Sequence, residues 1–336
     1  MKRFIVCVLV SALMAGCGGN KKAAQDVILT VNYPGESLFP VNDFFRTEKQ
    51  LSVKADGEYF LSDINDAFFS DDFAFILDQR QAVSKVDLKT GEIVSQLRQI
   101  GRGPKDYLDA MNLTGDDDHL YLLDMSGKSV HVYDFDLNHI DKYNIDFIPR
   151  PSSFARTKDG FMFLNSFDDD SIGMFVVTDS QCRKIATYLP KEVTPAEEDD
   201  DDFMFMEIFI GKYFLPDLQG KVVCHNPKTD DLYLYDGKSL AKRCQVKMGD
   251  DFIGKPGSYI RKIFSLNGNT LVNYMCDKGS CYAYFDQNFN LIAEGSGKND
   301  PAFFPMSQVG DRLMTVVVSK DLSASEQAQI IIYRTK

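Results

Sequence analysis

Cys281-Tyr282-Ala283-Tyr284-Phe285-Asp286 is a short β-rich run that stops at a turn, and the same pattern returns along the chain. Residues 82–87, 130–134, 174–179, 231–236 and 329–334 repeat it, so the runs end at 87, 134, 179, 236, 286 and 334, a period of about fifty residues. Ahead of each lies a second β-rich run, at 73–77, 120–123, 161–164, 222–224, 270–274 and 313–318. These follow turn signals such as Lys158-Asp159-Gly160 and Asn267-Gly268-Asn269, as hairpins require. A third run follows the first kind, at 92–97, 140–145, 183–189, 242–248 and 291–294, and a fourth precedes the unit, at 60–64, 108–113 and 260–266. Four strands repeated six times predict an all-β chain, a six-bladed β-propeller with four-stranded antiparallel blades. The competing architecture is a β-sandwich with a second domain.

The chain ends at Lys336, directly after the third strand of the last unit. The spare strand lies at the other end, where residues 27–33 (VILTVNY) alternate apolar and polar side chains. Paired onto the last blade, this N-terminal strand would close the ring and satisfy an exposed edge.

With 336 residues, 44% of them apolar and 12% aromatic, the chain can bury a large core and is not a disordered one. Lys and Arg total 37 against 49 Asp and Glu; a net charge of -12 repels polyphosphate and argues against a nucleic-acid partner. Trp is missing, so any sugar stacking falls to Tyr and Phe.

Lys2 and Arg3 precede an apolar run over 4–10, too short to span a bilayer, and small residues lead to Cys17. Leu13-Met14-Ala15-Gly16-Cys17 resembles a bacterial lipobox, which implies cleavage after residue 16 and lipid attachment at Cys17. The reading divides the chain into a signal peptide (1–16), a flexible tether (17–26) and a single propeller domain (27–336). Gly18 is not the aspartate that retains many lipoproteins at the inner membrane. The expected location is therefore the outer membrane, on its periplasmic side or at the cell surface, with the membrane as partner through the lipid.

Five cysteines then remain, and an odd number cannot all pair. Cys276 and Cys281 flank a turn between two β-rich runs, so they face each other across a hairpin as either a bridge or two free thiols. Cys182, Cys224 and Cys244 read as buried free thiols.

The loop Gly101-Arg102-Gly103-Pro104-Lys105-Asp106-Tyr107 resembles the G-x-G-P-x-E/D-[YF] loop of the TolB-like six-bladed β-propeller lipoproteins of anaerobic gut bacteria. The resemblance extends more loosely over 27–336 and the lipoprotein start. It implies a propeller and lipid anchoring, and brings no catalytic residues.

In such a blade the links between blades and the turns from second to third strand share one face. Those links carry Arg102, Lys105, Arg150, Lys191, Lys212, Lys255 and Lys298. Arg102, Lys105, Arg150, Lys255 and Lys298 are the candidate ligand-binding residues, a basic mouth for an anionic glycan or small anionic ligand, with Arg102 as a bidentate clamp. The plainer reading is that these are solvated loop cations and that Gly101, Gly103 and Pro104 shape a tight turn. Asp134-Phe135-Asp136-Leu137-Asn138 opens like a calcium loop, but His139 and Ile145 stand where Gly and Glu are needed. Asp168-Asp169-Asp170 offers at most a weak cation site. The 190–212 insertion joins an acidic run, 197–202, to the apolar 203–206, and is the candidate contact for an envelope protein. His119, His131, His139 and His225 fall in no metal spacing, so neither metal nor cofactor is expected. The functional expectation is a lipid-anchored binding or scaffolding propeller within a nutrient-uptake assembly. The alternative is a glycan lyase or hydrolase at the channel mouth.

Overall fold

The computed structural model describes residues 27–54, 59–165, 172–189, 214–216, 221–255, 257–319 and 326–336. Two strands precede the repeat, Ile28–Val31 (β1) and Phe45–Lys54 (β2), separated by the single-turn helix Val41–Phe44. Blade 1 is Ile64–Phe69 (β3), Phe73–Asp78 (β4), Val83–Asp87 (β5) and Ile93–Leu97 (β6). Blade 2 is Ala110–Gly115 (β7), His119–Asp124 (β8), Ser129–Asp134 (β9) and His139–Asn144 (β10). Blade 3 is Pro151–Arg156 (β11), Gly160–Asn165 (β12), Phe175–Asp179 (β13) and Lys184–Tyr188 (β14). Blade 4 is Phe214–Pro216 (β15), Val222–Asn226 (β16), Asp231–Tyr235 (β17) and Leu240–Met248 (β18). Blade 5 is Tyr259–Leu266 (β19), Asn269–Cys276 (β20), Gly279–Phe285 (β21) and Leu291–Ser296 (β22). Blade 6 is Ser307–Val309 (β23), Arg312–Val318 (β24), Glu326–Thr335 (β25) and, from the other end of the chain, β2.

Six antiparallel blades in this order are the expected propeller. The second strands are buried on both faces because each blade packs between two others, and β4, β8 and β12 therefore read as continuous apolar runs. The outer strands β10 and β14 meet solvent, and neither contains a fully buried residue. The core is a set of seams between blades: Phe75, Leu77, Leu113 and Tyr133 fill the one between blades 1 and 2, and Phe154, Phe161 and Phe163 stack in the next.

The ring is closed by an N-terminal strand, but not by 27–33. β2 pairs antiparallel with β25 from Phe45↔Thr335 to Lys54↔Glu326. β1 instead adds to the outer edge of blade 4, parallel to β18, from Ile28↔Gln245 to Val31↔Met248. The reason is burial. An outer strand hides only one face, so β2 buries Phe45 and Val53 while Arg46 and Glu48 stay in solvent, and its sequence reads as polar. The strongly alternating segment was the more visible strand and the wrong one. A second correction concerns the first inner strand, which is β3 rather than 60–64. Asp66 disguises it: the carboxylate is buried and accepts the backbone N–H of Leu113 at 2.8 Å, tying blade 1 to blade 2.

Buried aspartates also hold the turns. Asp124, at the end of β8, accepts backbone N–H groups from Leu108 (3.1 Å), Asp109 (2.9 Å) and Gly127 (2.9 Å). Burial alone would raise its pKa, but these bonds together with His131 outweigh it and hold the carboxyl below its ordinary value. A depressed folded-state pKa contributes stability above the unfolded-state value of about 4 and loses it as pH falls through the folded one. Asp124→Asn should therefore be less stable than the parent at pH 7, and the two should converge below about pH 4. Denaturant titrations from pH 3 to 7 check this; a gap that stays constant across the range counts against it.

Candidate functional site

Antiparallel blades place the turns between first and second strands on one face of the ring, and the links between blades on the other. At the centre of the first face a cavity of about 930 Å³ opens among the ends of the inner strands. Its polar rim comes from the turn tips of four blades: Asp71 and Asp72, Asp116 to Asp118, Lys158, and Arg312. Aromatic side chains supply much of the wall, with Phe68 and Phe73 from blade 1, Phe135 from blade 2, Phe154 from blade 3 and Phe214 from blade 4.

The two arginines are already engaged. Arg312 pairs with Asp71 at 2.8 Å and lies 5.3 Å from the Phe69 ring centroid. Arg156 donates to Asp116 Oδ2 at 3.3 Å and to the Gly160 carbonyl at 2.6 Å, with its guanidinium 5.0 Å from the Phe161 ring centroid. Asp116 also accepts Tyr121 Oη at 2.7 Å and the backbone N–H of His119 at 2.9 Å. Burial pushes this carboxyl's pKa up, yet the Tyr121, backbone and Arg156 donors prevail and lower it, so Asp116 is charged at neutral pH. Five carboxylates line the cavity against three cations, and its potential is unfavourable to anions. Such ion pairs present fixed donors and acceptors beside apolar rings, an arrangement suited to hydroxyl groups on a partly apolar body.

None of the five predicted ligand residues lines this cavity, because all five stand on links of the opposite face. Arg102 and Lys105 are exposed on the loop after blade 1. That loop is rigid by construction: Asp106 accepts the Gly103 N–H at 2.8 Å, and a Cβ on Gly101 or Gly103 would collide with its carboxylate. Tyr107 is fully buried and donates to the Gln81 carbonyl at 2.5 Å. Arg150 is half-buried just before β11. Lys255 lies 4.3 Å from the Tyr33 ring centroid, and Lys298 sits on the 3₁₀ turn Gly297–Asn299. Cys17, Lys191, Lys212, Asp168 to Asp170 and the 190–212 insertion lie outside the described residues.

The calcium-like segment is structural, since Asp134 accepts N–H groups from Asp136 (2.9 Å) and Asn138 (2.8 Å) of its own turn. Asp286 does the same with Asn288 and Asn290 in blade 5. Among the described residues no group of three His, Cys, Asp or Glu side chains is placed to hold a metal. Sequence reasoning missed Arg156, Arg312 and the aromatic wall by looking to the other face. The available signal was the charge on successive turn tips, Asp71-Asp72, Asp116-Asp117-Asp118, Lys158-Asp159 and Asp311-Arg312.

Several solved structures share the architecture. A Bacteroides fragilis protein described as exported superposes with a TM-score of 0.67 at 15% identity, covering 92% of this chain and 100% of its own. A member of the DUF4221 family from Bacteroides vulgatus gives 0.58 at 12% identity, with 87% and 98% covered. A streptogramin B lyase gives 0.51 at 8% identity, with 88% and 99% covered. At these identities the likeness is one of fold. No curated protein sequence matches the chain. The sequence model of a six-bladed propeller family matches residues 21–300, and the chain therefore belongs to that family, DUF5128: 6-bladed beta-propeller.

Proposed function

We propose that this protein is a lipid-anchored envelope propeller of the TolB-like lipoprotein kind that binds a neutral or cationic, hydroxyl-rich ligand, an oligosaccharide in the first instance, in its central cavity. The observation that carries the reading is the cavity: a wall of Phe68, Phe135 and Phe154 faces arginines already neutralised by Asp71 and Asp116. Binding fits this better than catalysis, because the guanidiniums are held by structural partners rather than left free to act on a substrate. The basic start, short apolar run and Leu13–Cys17 segment support anchoring at the outer membrane, and the exported Bacteroides fragilis relative supports export. Among the described residues no helix is long and apolar enough to cross a membrane. The same reading gives the 190–212 insertion to an envelope protein partner.

Calorimetric titration of neutral, amino-sugar and uronic-acid oligosaccharides tests the assignment. Neutral and amino-sugar chains should bind, and Phe135→Ala should weaken them about tenfold or more, the loss of one aromatic contact. Tighter binding of uronic acids, untouched by Phe135→Ala, would refute it. That result would favour a second reading, an anionic ligand on the opposite face, to which exposed Arg102 and Lys105 on their rigid loop lend support; Arg102→Ala would then abolish the uronic-acid signal.

A further inference from the structure

We propose that Cys276 and Cys281 are a thiol–disulfide site whose oxidation tightens the hold of blade 5 on the amino-terminal strap, residues 32–39. The site is independent of the cavity and of its ligand.

The register of the β20–β21 hairpin pairs Cys276 with Gly279 and Tyr274 with Cys281, so the two cysteines are diagonal neighbours. Their Sγ atoms are 3.5 Å apart. A bond of about 2.05 Å needs a closure of about 1.5 Å, within reach of side-chain rotation and a small backbone adjustment. The other described thiols serve as packing: Cys182 lies in the seam between blades 2 and 3, Cys224 faces Met162 Sδ, and Cys244 is buried beside β17.

The turn between the two cysteines is what grips the strap. Asp277 Oδ1 accepts Tyr33 Oη at 2.7 Å, and Lys278 Nζ pairs with Glu36 Oε1 at 2.8 Å. Past these anchors the strap runs along the end of β22, where Ser296 N–H donates to the Ser37 carbonyl and Phe39 N–H to the Ser296 carbonyl. A bond from Cys276 to Cys281 closes a ring around Asp277 and Lys278 and restricts the turn on which both side chains are mounted.

The chemistry is exchange with a disulfide carried by a thiol oxidoreductase or by glutathione. The thiolate of Cys276, the less deeply buried of the two, attacks the donor disulfide, forming a mixed disulfide and releasing one donor thiol. Cys281, after losing its proton, attacks Cys276 Sγ and releases the second donor thiol. Two protein thiols are oxidised, one donor disulfide is reduced to two thiols, and no electrons are left over. Burial, with the neighbouring Cys276, pushes the Cys281 thiol up, so the second step is slow without a catalyst.

The test equilibrates the purified chain in glutathione buffers from reducing to oxidising, denatures it in N-ethylmaleimide and digests it with trypsin, which cuts after Lys278 between the two cysteines. The expected product under oxidising conditions is a linked peptide pair lighter by two hydrogens than its separate parts. Hydrogen exchange over 32–39 should slow by about threefold or more in the oxidised form. In Cys276→Ser, or in Cys281→Ala if the first does not fold, the exchange should ignore the buffer. Full maleimide labelling of both cysteines in every buffer, equal exchange in the two forms, or unchanged buffer dependence in the variants overturns the proposal.

Discussion

A chain that begins at residue 55, lacking β2 and everything before it, should fail to give a cooperative thermal transition, whereas one that begins at Asn32 should still melt cooperatively at a lower temperature. β2 covers the outer edge of β25 over its whole length, buries Phe45 and Val53, and shields Ile330 and Ile332 in the seam of blades 6 and 1. Burying a large apolar side chain contributes about 1.5–3 kcal/mol, so losing several approaches the total stability of about 5–15 kcal/mol typical of a folded domain. The uncovered β25 would also present an apolar edge, and aggregation should accompany the loss. Removing β1 alone forfeits Leu29 and Val31, roughly two such side chains, and leaves the ring closed. Calorimetry of the two truncations separates the cases; a cooperative transition in the shorter chain would show that β2 does not close the ring.

Gly91→Ala should lower the melting temperature at least twice as much as Gly237→Ala. Both glycines sit at positive φ, +78° and +94°, where an alanine costs about 1–3 kcal/mol of backbone strain. At Gly237 nothing lies within 4 Å of the added Cβ, so strain is the whole cost. At Gly91 the Cβ would collide with the Ser52 carbonyl oxygen, on the closing strand itself. Relief requires β2 to move off blade 1, which also strains the 2.8 Å bond from Lys54 N–H to the Gly91 carbonyl. Differential scanning calorimetry of the pair measures the seam directly, and equal losses would mean that the contact between blades 6 and 1 is unimportant.

Much of this molecule is legible in its sequence. The period of about fifty residues, the four runs per unit and the missing last strand all come from local patterns of apolar and turn residues, and local patterns survive in sequence because strand formation and hairpin turns are local. The spacing of Cys276 and Cys281 likewise announced a shared hairpin. Legibility failed where burial was one-sided or a charge was buried: β2 carries mostly polar residues between Phe45 and Val53 and shows no strand pattern, and Asp66 hid the first inner strand.

What the sequence determined by itself is therefore the blade count, the blade composition and the need for an amino-terminal strand to complete the ring. Only the tertiary structure decided which segment does so and which face carries the cavity. Closure depends on how a strand fits an edge almost the whole length of the chain away in an antiparallel register, from Phe45 against Thr335 onward. The cavity depends on how turn tips from four blades meet around an axis, with Arg156 finding Asp116 and Arg312 finding Asp71. Such meetings are set by the packing of whole sheets, and no window of neighbouring residues contains them.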